Sequence, residues 1–138
     1  MEQNEPAEQT PRVAEPSEEE PSPGMQIVRK SIAVSSLEEM AEGMFGNLVK
    51  AVVDVDRGSM AVDAEMHADE EALLLAEGSQ QNNLWGINLH PAHFGTPRFI
   101  EFDSVINIRP RQGNRTRSVD DASMRAAITA IVERLVKR

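Results

Sequence analysis

The sequence predicts an α+β domain: an antiparallel sheet of four to five strands packed by about three helices, preceded by a disordered acidic N-terminal tail. Three observations lead there. Apolar residues alternate with period two in several short runs bounded by turn residues, and they recur with period 3.6 in others. The first 25 residues follow neither pattern. A chain of 138 residues has room for one domain, which these patterns place over residues 26–138.

The tail, residues 1–25, carries five of the eight prolines and seven glutamates against the single cation Arg12. Beyond Met1 and Met25, Val13 is its one large aliphatic residue, so it cannot bury enough apolar surface to offset chain entropy. It holds −6 of the net charge of −9, so the acidity belongs mostly to the tail. The remaining −3 disfavours broad, non-specific nucleic-acid binding by the folded part.

The elements follow in order. Gln26 to Ile32 reads as a first strand. Ser35 and Ser36 offer an N-cap, with Glu38 and Glu39 three residues on, and Leu37, Met40, Ala41, Met44 and Phe45 form one helical stripe ending at Gly46. Leu48–Val55 and Ser59–Met66 are strands of a hairpin turning at Asp56, Arg57 and Gly58. Met60, Val62, Ala64 and Met66 share one face of the second strand, while Lys50 and Asp54 break the alternation of the first by sharing the parity of Leu48 and Val52. Ala68–Glu77 is a short helix closed by Gly78, with Asp69, Glu70 and Glu71 in its first turn, where the helix dipole favours negative charge. A strand over Ala72–Ala76 is the competing reading of that run.

Leu84–Leu89 is a strand, Pro91–Pro97 a loop, and Arg98–Arg109 the longest strand candidate. Pro110–Val119 is a polar loop. The last helix runs from about Asp120 to Val136, with a stripe at Met124, Ala127, Ile128, Ile131, Val132 and Leu135. Hairpin signals with scattered helices imply helices covering one side of the sheet.

Composition excludes several classes. With no cysteine there is no disulfide and no thiolate chemistry, and zinc would have only His and carboxylate ligands. No apolar run approaches the ~20 residues that span a bilayer. The acidic start without an apolar stretch is unlike a signal peptide, so the expected location is cytoplasmic.

Three constellations are candidates for chemistry. On a polar sheet face, Asp63, Glu65, His67, Asn88, His90, Glu101, Asp103, Asn107 and Arg109 could gather, although one face of an antiparallel sheet is often simply wet. Within it, Glu65, His67, Asp69 and Asp103 are the types that hold a divalent metal, with Arg109 near a substrate. The alternative makes Asp69, Glu70 and Glu71 dipole partners and His67 a strand-end residue. His90 and His93 are a weaker pair, because Pro91 precludes a regular helix that would align the rings. Trp85 and the stripe at Met40 and Met44 read as core.

The third constellation is the loop from Arg109 to Arg117. Four of the fourteen basic residues, Arg109, Arg111, Arg115 and Arg117, lie within nine positions, beside Gln112, Gly113 and Asn114. A strand–loop–helix setting of this kind can hold a phosphate, a nucleotide or a nucleic-acid backbone. Asp120 and Asp121 oppose that reading by occupying the helix start, and the absence of tyrosine leaves few rings on which to stack bases. Pairing with Glu101, Asp103 or Asp120 is the competing account.

The segments 67–75 (HADEEALLL), 78–79 (GS), 84–88 (LWGIN), 102–110 (FDSVINIRP) and 112–115 (QGNR) resemble those of an uncharacterised family of small bacterial and archaeal proteins, a domain of unknown function. The resemblance covers roughly Ile27 to Val136 and implies one compact domain. It implies no activity. Val105 stands where the resemblance leads one to expect methionine, a packing-neutral exchange.

The leading reading is therefore a binding domain, not an enzyme, that holds an anionic ligand at the Arg109–Arg117 loop and requires no cofactor. The runner-up is a metal-assisted hydrolase or nuclease at the carboxylate and histidine face, with a divalent cation. A structural domain that binds a protein partner or a second copy is the third.

Overall fold

A computed structural model of the protein describes residues 24–138. The expected disordered tail lies outside the described residues but for its last two positions. Five strands form one antiparallel sheet: β1 (Gln26–Val28), β3 (Val49–Asp54), β4 (Ser59–Val62), β5 (Leu84–Leu89) and β6 (Ile100–Glu101), in the spatial order β1-β4-β3-β5-β6. A second pairing is parallel and short. It joins β2 (Ile32–Ala33) to β7 (Val136–Lys137), tying the start of α1 (Val34–Glu42) to the end of α3 (Ala122–Leu135). The remaining helix is α2 (His67–Ala76).

The β3–β4 hairpin forms as its turn residues predict, with Gly58 at φ +70°. Asp54, which breaks the alternation, is buried because it organises this turn. Its Oδ1 accepts from Asp56 N and Arg57 N, and its Oδ2 accepts from Ser79 Oγ at 2.6 Å.

Helices cover both faces of the sheet, not one. Ala51, Val53, Met60, Val62 and Ile87 pack with Leu37 and Ala41 of α1 and with Ile128, Val132 and Leu135 of α3. The opposite parity, Val52, Ala61 and Leu84, packs against Leu74 of α2. The wet sheet face expected from the sequence is thus mostly a second, smaller core.

Several boundaries differ from expectation: the first strand, expected over Gln26–Ile32, divides into β1 and β2, and β4 stops at Val62, short of the expected Met66. The helix α1 starts at Val34 with Ala33 as an N-cap that makes no side-chain bond, so Ser35 and Ser36 lie inside it. Burial of Val34 and the β2–β7 pairing fix the chain's entry, overriding the capping signal. Its regular part ends at Glu42, so Met44 and Phe45 leave the stripe. The long strand over Arg98–Arg109 does not form. After Glu101 the chain turns into a 3-10 segment, Val105–Asn107, which Ser104 Oγ caps by accepting from Ile106 N. Asn107 then stands in for the missing strand: its amide donates to Gly86 O at 2.9 Å and accepts from Gly86 N at 2.8 Å.

Candidate functional site

The loop from Arg109 to Arg117 is held chiefly by its own polar groups. Arg109 donates from one guanidinium nitrogen to Gln81 O at 2.6 Å and from the other to Leu84 O, while its plane lies 4.1 Å over the Trp85 ring. Burial lowers its pKa from the ordinary guanidinium range, with the Glu71 carboxylate acting in the opposite direction. Gln112 donates to Asn82 O at 3.1 Å. Asn114 is buried at the loop's centre, donating to Asn107 O, Thr116 O and Ser118 O and accepting from Asp120 N. Arg117 pairs with Asp103 at 2.6 Å. Arg111 and Arg115 are exposed, and among the described residues they make no ion pair.

The carboxylate and histidine set does not assemble as a cation site. Among the described residues no three His, Asp or Glu side chains gather where they could hold a metal ion, so Glu65, His67, Asp69 and Asp103 are not one ligand set. His90 pairs with Glu101 at 2.9 Å and lies 6.4 Å from the His93 ring.

Three of the proposed site residues do meet elsewhere. His67, Asp103 and Arg117 line a groove of about 460 Å³ together with Lys50, Asn88 and Ser104. Lys50 and Asn88 are cross-strand partners on β3 and β5, on the parity of Val52 and Leu84, just past the part of that face which α2 covers. Asn88 is 7% exposed; its amide donates to Glu101 Oε1 and Asp103 O, and its Oδ1 has no partner among the described residues.

His67 opens α2, whose N-cap, Met66, supplies no side-chain acceptor to the first turn. Its Nε2 lies 2.8 Å from Ile87 O, so Nε2 carries the proton and Nδ1 is left as an acceptor. Burial keeps the pKa of this ring below the ordinary 6.5, with smaller opposing pulls from the Ile87 carbonyl and Asp103 and downward pushes from Lys50 and Arg117. Gly86 permits this crowding. A Cβ there would lie 2.6 Å from Ser104 Cβ and Oγ and 3.2 Å from His67 Cδ2.

Above the polar floor the rim is apolar. Phe45, Met66 and Val105, exposed to 41%, 56% and 63%, all line the groove, and Lys50 Nζ lies 5.1 Å from the Phe45 ring centre. Among the described residues Lys50 has no carboxylate partner. A cation, a helix start without a side-chain cap and an apolar lip suit an anion that carries a hydrocarbon part.

Residues 26–135 match one known family along nearly the whole described chain. The chain belongs to the family described as Protein of unknown function (DUF5674). No curated protein and no solved structure matches it. Membership in DUF5674 attaches no chemistry to the groove. No helix among the described residues is long and apolar enough to cross a membrane.

Lys50 and Ser104 escape a reading based on motifs. Their signal in the sequence is a parity break: a lysine in an apolar strand row, and a serine between Phe102 and Ile106. Such residues mark positions where a strand leaves the core.

Proposed function

We propose that the domain binds a small anionic ligand with an apolar portion, such as a carboxylate, in the groove between β3, β5 and the start of α2. The observation that carries this reading is Lys50, half-buried and without a carboxylate partner among the described residues, beneath the exposed side chains of Phe45, Met66 and Val105. The ligand's negative charge would meet Lys50 and the first N–H groups of α2. Its hydrocarbon part would cover the lip. Arg117 takes part from the loop side, where its charge is already shared with Asp103. Arg109, Gln112 and Asn114 support the loop, and Arg111 and Arg115 contribute to the approach of an anion through their long-range field. Binding needs no catalytic group, and the reading is of a binding module.

Titration of the full chain with hexanoate and with neutral hexanamide, followed by amide shifts of Lys50, Met66, His67 and Asn88, tests it. Hexanoate is expected to bind about tenfold more tightly than hexanamide, and Lys50→Gln to remove that preference. Equal binding of the two probes, or a Lys50→Gln variant that keeps the preference, overturns the reading. The same exposed lip also favours a second reading, a protein-contact surface. Light scattering that returns a concentration-dependent mass, lost in Phe45→Ser, would support that one.

A further inference from the structure

A second cavity, of about 550 Å³, lies on the other face of the sheet, between the segment 94–102 and α3. It concentrates the protein's aromatic residues. Three of the four phenylalanines, Phe94, Phe99 and Phe102, line it with Ile100. Phe94 and Phe99 meet edge to face at 5.1 Å between ring centres, so their relative orientation is set by packing. From α3, Thr129 and Glu133 complete the wall. Glu133 is the one ionisable residue lining the cavity, it is exposed, and among the described residues it makes no ion pair.

An aromatic wall beside a single unpaired carboxylate selects by charge. The ring faces carry negative quadrupole density, so a cation is attracted to them while its alkyl or aryl substituents bury against the same surface. The carboxylate supplies the counter-charge. The domain itself bears a cation on this wall: the Arg138 guanidinium lies 4.9 Å from the centre of the Phe94 ring.

We propose that this cavity binds a small organic cation, an amine or quaternary ammonium bearing an alkyl or aryl group, with Glu133 as counter-ion and the Phe94, Phe99 and Phe102 rings as its walls. The volume lies within the range of small-molecule pockets, roughly 300–1,000 Å³. The proposal is independent of the anion groove, since the two sets of lining residues share no member.

The experiment is a titration of the full chain with benzyltrimethylammonium and with benzyl alcohol, followed by the amide shifts of Phe94, Gly95, Thr96 and Thr129. The cation is expected to saturate those shifts with an affinity about tenfold above that of the alcohol. Glu133→Gln, at an exposed helix position and therefore safe for folding, is expected to remove most of that preference. If the alcohol binds as well as the cation, if Glu133→Gln leaves the preference intact, or if neither probe moves these amides at tens of millimolar, the assignment is overturned.

Discussion

Glu70 sits fully buried in the first turn of α2, where its Oε2 accepts from Ala64 N at 3.1 Å and its Oε1 has no partner among the described residues. Burial raises its pKa well above the ordinary 4.5; the Ala64 N–H and Lys50 pull it down, and Asp63 and Asp69 push it up. The folded state therefore holds this proton more tightly than the unfolded chain. Its stabilising contribution is complete below 4.5 and is lost as pH rises toward the elevated folded value. His67 has the opposite sign. Its lowered pKa gives a contribution that is complete above 6.5 and lost as pH falls toward the depressed folded value. Glu70→Gln keeps an acceptor for Ala64 N and removes the titration. His67 acts in both proteins alike, so Glu70→Gln is expected to raise the urea midpoint at pH 8 relative to that at pH 5, compared with the wild type; equal slopes would refute the assignment. Gly86 makes a steric case at the same scale. Its added Cβ would stand 2.6 Å from Ser104, which is itself buried and cannot swing away. Gly86→Ala is expected to cost about 2 kcal/mol in urea denaturation and to shift the His67 ring resonances. Neither role is legible in the residue's own type. Glu70 reads as one of three dipole partners, and only the return of β4 over α2 buries it.

At the scale of elements, legibility follows the source of each element's stability. The β3–β4 hairpin, β5, α2 and α3 were legible because periodicity and turn chemistry agree with the burial they receive. The segment from Arg98 to Arg109 was not. Its alternation suits a strand, yet side chains take over the backbone's partners: Ser104 caps the 3-10 turn and Asn107 bonds both polar groups of Gly86. The Arg109–Arg117 loop has a structural part that its composition does not show. A cluster of arginines reads as a ligand grip, but the Arg109 fork closes on the carbonyls of Gln81 and Leu84 and stacks on Trp85, contacts between segments far apart in sequence. Lysine cannot reproduce that planar, two-pronged geometry. Arg109→Lys is therefore expected to lose about 2 kcal/mol of stability, measured by urea denaturation, despite conserving the charge. Arg111→Lys, at an exposed position, is expected to stay within ~0.5 kcal/mol of the wild type. Full stability retained in Arg109→Lys would mean that the loop's charge, not the Arg109 contacts, holds it in place.

At the scale of the whole molecule, the sheet works as a partition. Alternation along β3 and β5 sends Lys50 and Asn88 to the face of α2, and the cleft of Phe94, Phe99 and Phe102 opens beside α3 on the other. Each side has a hollow with a polar group at the edge of a core. The two hollows carry opposite preferences, a lysine in one and a glutamate in the other. Side chains separated by a packed sheet and sharing no partner should behave additively, within about 0.5 kcal/mol. Lys50→Gln is then expected to weaken hexanoate and leave benzyltrimethylammonium unchanged, while Glu133→Gln does the reverse, and the double variant shows both losses with no interaction between them. Calorimetric titration of each probe against all four proteins checks this. A coupling well above 0.5 kcal/mol would mean that the sheet transmits strain between its faces, and the two hollows would have to be treated as one responsive unit.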